Sequence, residues 1–366
     1  MKIIKFPSAL LILWFLLCSC GAGAQQQPPT GQEEAKEKVG QTEAKEQKAK
    51  EPRAAIDPNK FAIVVAGVGG EEAYKKKFTG QATKLREAMA ERLGFDEKHI
   101  FLLTEAEEGG PENDLRENFA RSTAKEVRKA FDALKSMVNQ ESLVLVVLIG
   151  HGSFDAQEAK FNLIGPDLTA KDYAGLIKTI PSRRVIFINC ASSSGEFVKP
   201  LSGGDRIVIT ATRSGNEQNA TVFAEHFVAS LTDDGADTDK NGRISVLEAF
   251  NYATKLTADW YKQQNRLATE HALIDDNGDG KGHEEATEGD GVLAKTTYLD
   301  SKPIEQAGAD VELARLLGER QKLEEAIEKL KARKGEMKPD EYDSELERLL
   351  VELAKLNQDI KARQKN

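Results

Sequence analysis

The sequence predicts an α/β fold: a mostly parallel sheet with helices on both faces, a three-layer α/β/α sandwich, followed by a C-terminal α-helical hairpin of coiled-coil character. Three observations carry this expectation. Apolar runs at 61–65, 100–103, 143–149, 185–188 and 207–211 are continuous rather than alternating, as strands covered on both faces require. Stretches at 82–93 and 122–138 separate them with helical periodicity, placing Leu85, Met89 and Leu93 on one face and Val127, Phe131, Leu134 and Val138 on another. From Val311 onward the composition shifts to Glu, Lys, Arg, Ala and Leu, with apolar residues stepping by three and four.

In chain order, residues 1–24 read as a leader. Lys2 and Lys5 precede an apolar stretch, 10–17, that ends in Leu17-Cys18-Ser19-Cys20-Gly21. This is the build of a bacterial export signal, too short for a membrane-spanning helix. The Leu-x-Ser-Cys segment resembles a lipobox, whose processing before Cys20 leaves that residue lipid-modified at the head of a bacterial lipoprotein. Cleavage after Ala22-Gly23-Ala24 is the other reading and gives a secreted protein. The expected location is the cell envelope, lipid-anchored and periplasm-facing, with the membrane as a partner through the lipid. Residues 25–57 are rich in Gln, Glu, Lys, Ala and Pro and nearly devoid of bulky apolar side chains. Such a segment buries too little surface to offset chain entropy, so a disordered charged linker is expected.

Residues 58–300 hold the expected α/β domain. Two motifs begin where apolar runs stop: Gly150-His151-Gly152-Ser153 and Asn189-Cys190-Ala191-Ser192. In open α/β sheets functional residues gather beyond the carboxyl ends of strands, so neighbouring strands bring His151 and Cys190 to one rim. Cys190 is the only cysteine outside the leader. A thiol becomes a nucleophile at neutral pH when an imidazole assists it, and a glycine N–H receives a developing oxyanion without steric hindrance. The reading is a Cys190–His151 dyad with the N–H groups of Gly152 and Cys190 as oxyanion donors; Asn189 or a carbonyl is the available group to orient the ring. The bland readings are a small buried hydrophobe for the cysteine and a turn for His-Gly.

With these residues in hand, the chain resembles the caspase-like (clan CD) cysteine peptidases, and most closely the legumain-like C13 branch. The resemblance rests on the strand ending in His151-Gly152, the strand ending in Cys190, the turn Ser192-Ser193-Ser194-Gly195, the first strand running into Ala66-Gly67-Val68-Gly69-Gly70 and Tyr74, and Ile209-Thr210-Ala211-Thr212. It spans about 61–300 and implies a caspase-like fold and an endopeptidase that hydrolyses peptide bonds through an acyl-enzyme, acting on a peptide or protein substrate. It further implies a charged specificity pocket between Lys75, Lys76 and Lys77 on one side and residues 225–234 on the other. A transpeptidase uses the same dyad when an amine resolves the acyl-enzyme.

A second chemical signal is Asp237-Thr238-Asp239-Lys240-Asn241-Gly242-Arg243-Ile244-Ser245-Val246-Leu247-Glu248. Side-chain oxygens stand at positions 1, 3 and 5 (Asp237, Asp239, Asn241), glycine at 6, the Arg243 carbonyl at 7, Ser245 at 9 and Glu248 at 12, every slot of an EF-hand calcium loop. The helix expected to leave it carries Val246, Phe250, Ala253 and Trp260. Asp275-Asp276-Asn277-Gly278-Asp279-Gly280 repeats the first half of the pattern, but its twelfth position is Ala286, leaving His283, Glu284, Glu285 and Glu288 as candidates for the missing ligands. The remaining histidines do not cluster as zinc ligands do. No organic cofactor is implied. His99, His226 and His271 read as structural or surface residues.

In the tail, residues 301–366, the apolar positions are Leu316, Leu323, Ile327 and Leu330, then Tyr342, Leu346, Leu349, Leu353, Leu356 and Ile360, with Gly335 and Pro339 between. An antiparallel hairpin follows, able to self-pack, to self-associate or to hold a protein partner. The formal charge of −9 disfavours nucleic acid as a partner. The competing class is a non-catalytic, calcium-stabilised envelope module whose hairpin is the working surface.

Overall fold

The computed structural model describes residues 53–105, 118–182, 184–286 and 289–364; the leader with Cys20 and most of the linker lie outside them. The chain opens with β1 (Lys60–Ala66), α1 (Glu72–Glu91), β2 (Ile100–Thr104), β3 (Phe119–Arg121), α2 (Ala124–Met137) and β4 (Leu143–Ile149). It continues through β5 (Gly152–Phe154), β6 (Ala159–Phe161), β7 (Leu168–Thr169), α3 (Ala170–Lys178), β8 (Arg184–Asn189), α4 (Val198–Leu201), β9 (Arg206–Thr210), α5 (Phe223–Ser230) and α6 (Val246–Gln263). After β10 (Leu273–Asp275) come α7 (Val292–Thr296), α8 (Lys302–Ala307), α9 (Val311–Ala332) and α10 (Pro339–Gln364).

The main sheet has the order β10-β9-β8-β4-β1-β2-β3 and is parallel except for β10, which runs antiparallel to β9. A small antiparallel sheet, β5-β6-β7, follows the His-Gly motif. Side chains alternate along the strands and sort the core into two layers. On one face, Ala62, Val64, Leu145, Val147, Ile186, Ile188, Ile207 and Ile209 pack under α1, α5 and α6. On the other, Phe61, Ile63, Val144, Val146, Val185 and Phe187 pack under α2, α3 and α4. The molecule is the α/β/α sandwich the apolar runs predict.

Two helices depart from expectation. α1 begins at Glu72, ten residues before the predicted start, because Phe78 joins Ala82, Leu85 and Met89 on its buried face and draws the lysine-rich turn into the helix. α6 buries Tyr261 and leaves Trp260 half-exposed, since position 261 continues the face of Val246, Phe250, Ala253 and Thr257. α9 and α10 form the antiparallel hairpin, burying Leu316, Ile327 and Leu330 against Tyr342, Leu349, Leu356 and Ile360. Among the described residues no helix is long and apolar enough to cross a membrane.

Candidate functional site

β4 and β8 are direct neighbours in parallel register, with Leu148 opposite Asn189. Ile149 and Cys190 both belong to the layer beneath α1, α5 and α6. The period of two carries that face on to His151, whose ring meets the α1 side chains Tyr74 at 4.7 Å and Phe78 at 4.9 Å. The fold therefore brings the two residues to adjacent strand ends and to the same face. Among the described residues no hydrogen bond joins the imidazole to the thiol.

Cys190 is covered, with 1% of its surface exposed. Thr221 Oγ1 donates to the Cys190 carbonyl at 2.5 Å, and Lys77 Nζ donates to the Thr221 carbonyl at 3.2 Å. The next two N–H groups, of Val222 and Phe223, donate to the buried carboxylate of Glu270 at 2.8 and 3.2 Å, and Tyr261 Oη donates to the same group at 3.2 Å. These bonds fasten residues 221–223 beside the cysteine. Burial pushes the thiol well above its ordinary pKa, and the Glu270 charge adds to the effect. Burial likewise raises Glu270, opposed by its hydrogen bonds. His151 moves the other way: partial burial disfavours the imidazolium first and the Lys77 ammonium second, with Glu71 opposing, so the ring is held as a neutral base.

The expected oxyanion donors are both engaged. Gly152 N–H donates to Ser192 Oγ at 3.1 Å, and that hydroxyl donates to the Gly152 carbonyl at 3.0 Å, so Ser192 clasps the His-Gly turn to the turn after Cys190. The expectation for the Cys190 N–H is corrected: it donates to the Leu148 carbonyl at 2.8 Å as a rung of the sheet. Asn189 does not orient His151 either. It falls on the opposite face from Cys190 by alternation, and its Oδ1 accepts from the Ala191 N–H at 3.0 Å. Glycine is required at 152, where a Cβ would lie 2.3 Å from the Ser192 carbonyl oxygen.

Lys76, Lys77 and Lys84 of α1 face Glu225, Val228 and Thr232 across a groove of 670 Å³. Lys75 does not line it, and Asp233 instead accepts from Tyr252 Oη at 2.5 Å.

In the loop 237–248, ligand oxygens of Asp237, Asp239 and Glu248 lie within 4.8 Å of one another. Gly242, with φ of +79°, makes the sharp turn, and its N–H donates to Asp237 Oδ2 at 2.8 Å. Asn241 Oδ1 accepts from the Arg243 N–H at 2.7 Å. Glu248 Oε1 accepts from the N–H groups of Thr238 and Asp239, while Oε2 accepts from the Ser245 N–H and hydroxyl, capping α6. The Arg243 side chain turns away, to Asp300 at 3.0 Å and over the Tyr298 ring at 3.8 Å, leaving its carbonyl to the loop.

The loop that starts at Asp275 follows the same plan. Gly280 has φ of +78° and donates to Asp275 Oδ2, Asn277 Oδ1 accepts from the Asp279 N–H, and Asp279 Oδ1 accepts from the Lys281 N–H. The carboxylate in the place of Glu248 is Asp290, which sequence reasoning missed, although among the described residues only Asp237, Asp239 and Glu248 bring their ligand oxygens close enough to share a metal ion. Asp290 Oδ1 accepts from the N–H groups of Asp276 and Asn277 and its Oδ2 meets His283 Nδ1, the contacts Glu248 makes with the second, third and ninth positions of the first loop. Glu284 pairs with Arg213 instead, and Glu288 lies outside the described residues. The remaining histidines are accounted for locally: His99 stacks on Phe61, His271 pairs with Glu217, and His226 is half-buried on α5.

No protein-family model matches the chain, and no curated protein sequence does. Among solved structures, the Drosophila initiator caspase Dronc aligns over 64% of this chain and 85% of its own, with a TM-score of 0.41 and 12% sequence identity.

Proposed function

We propose that this chain is a cysteine-type endopeptidase of the legumain-like kind, with Cys190 as nucleophile and His151 as proton shuttle. The observation that carries the reading is the register of β4 and β8, which sets both residues on one face at one rim of the sheet. The thiolate attacks the scissile carbonyl, the imidazole protonates the departing amine, and water, or an amine in a transpeptidase, resolves the acyl-enzyme. Gly152 N–H serves the oxyanion once Ser192 Oγ rotates from it. With 1% of Cys190 exposed, the thiol has to be uncovered before substrate reaches it.

Oxygen ligands from Asp237, Asp239, Asn241, Ser245 and Glu248 with the Arg243 carbonyl suit a hard cation, and calcium fits the spacing. The reading also includes export to the bacterial envelope through the leader, with Cys20 as the lipidated residue. A second reading, a non-catalytic calcium-stabilised envelope module, is favoured by one observation, the burial of Cys190.

The test is cleavage of a diverse peptide library by the full chain, with and without calcium, against Cys190→Ala. Cleavage lost in the variant supports the peptidase. Absence of cleavage by a folded, calcium-loaded chain whose Cys190 resists alkylation supports the scaffold.

A further inference from the structure

We propose that Tyr74 and Phe78 position the His151 imidazole, taking the part that a hydrogen-bonded carboxylate or amide has in the usual catalytic triad. The proposal rests on the peptidase reading and names how its base is held.

Both aromatic rings stand edge-to-face to the imidazole, at interplanar angles of 75° and 78° and centroid separations of 4.7 and 4.9 Å. They are four residues apart on α1, hence neighbours on one helical face, and they stack on each other at 5.6 Å. Among the described residues no protein group hydrogen-bonds the His151 side chain, and its directional contacts are those with Tyr74 and Phe78. Edge-to-face contacts between aromatic rings are directional, and two of them on one ring define its plane. The clamp is itself rigid. Phe78 is 4% exposed and belongs to the layer with Ala82, Leu85 and Met89, which seats α1 on the sheet. Tyr74 is only half-buried and contributes its ring from the outer turn. The charged groups acting on the imidazole, Lys77 and Glu71, come from the same end of α1, so one element sets both the orientation and the electrostatic surroundings of the base.

Ring contacts of this kind orient the imidazole without engaging its nitrogens, which stay available for proton transfer. Misalignment of a proton shuttle lowers turnover more than binding. The test uses the full chain labelled with ring-13C histidine, the His151 resonance being identified by its loss in His151→Gln. Tyr74→Leu is expected to move that resonance toward the free-histidine position and to lower kcat about tenfold with little change in KM. Tyr74→Phe, which keeps the ring, is expected to restore both.

If Tyr74→Leu leaves the His151 resonance and the turnover at wild-type values while the protein stays folded by circular dichroism, the clamp is overturned. A Tyr74-dependent resonance in a wild-type chain that cleaves no peptide upholds the ring contact and removes the peptidase reading instead. Because Phe78 lies in the core, its replacement is not used as evidence in either direction.

Discussion

At the scale of the residue, Cys190 sets the behaviour of the site. A thiol with 1% of its surface exposed and a raised pKa holds less thiolate at neutral pH than a free cysteine does. The sign follows directly: raising pH recruits the thiolate only as it approaches the elevated value, so iodoacetamide should label native Cys190 slowly at pH 7 and faster in alkali. Urea-unfolded protein should react at the free-cysteine rate at every pH. Labelling at neutral pH as fast as in the unfolded chain, measured by mass spectrometry, would show the cover on the thiol to be open in solution. Gly152 gives a second prediction. A methyl group there meets the backbone carbonyl oxygen of Ser192 at 2.3 Å, which cannot swing aside as a flexible side chain would, so the two turns have to part. Gly152→Ala should lower stability by about 2 kcal/mol in urea denaturation, without the gain that a glycine-to-alanine change brings at a permissive site. That His151 and Cys190 share a rim was legible in the sequence, because both end continuous apolar runs. The fastening of residues 221–223 beside Cys190 was not: it depends on Thr221 and Glu270, which have no pattern tying them to the cysteine.

At the scale of the element, the loop 237–248 and helix α6 are one unit, since Glu248 both closes the carboxylate cluster and caps the helix through Ser245. If calcium binds there as proposed, it would stabilise the folded chain by roughly 2.7 kcal/mol at a hundredfold excess over Kd. The melting temperature should therefore rise with calcium and fall on chelation. Glu248→Gln removes a ligand charge and, with a single acceptor oxygen, keeps only one of the two sets of N–H bonds, so it should largely abolish the calcium response and also lower the metal-free melting temperature. A melting temperature indifferent to calcium in the wild type would remove the metal site. That Asp237, Asp239 and Glu248 gather was readable because the EF-hand pattern sets residues at fixed short spacings. Asp290 was not, because it reaches the second loop from four positions beyond the expected twelfth, a placement set by the pairing of Ile274 with His283 rather than by local spacing. The early start of α1 was obscured by Lys75, Lys76 and Lys77, whose charge reads as loop when Phe78 is taken alone.

At the scale of the whole molecule, the sheet strands were visible as apolar runs but their order was not, since continuous runs do not specify neighbours and β10 is too short to announce its antiparallel pairing. The helical hairpin was visible too, but not how it sits on the sandwich. That attachment includes a buried ion pair: Arg184, at the start of β8, meets Glu325 of α9 at 2.7 Å, with side-chain exposures of 4% and 11%. Lys329 shares Glu325 at 3.0 Å, while Asp205 stands 3.9 Å from Arg184. Bringing both charges out of water costs much of what their attraction returns, so the pair is worth less to stability than its geometry suggests, whereas leaving one charge buried alone is expensive. Glu325→Leu should therefore destabilise the chain by about 3 kcal/mol, because it strands the Arg184 guanidinium against α9. Arg184→Met combined with Glu325→Leu should recover most of that loss, the two apolar side chains filling the same space. If the double variant is as unstable as the sum of the single ones in urea denaturation, the two residues are not coupled and the hairpin is held by its contacts with α7 and α8 instead.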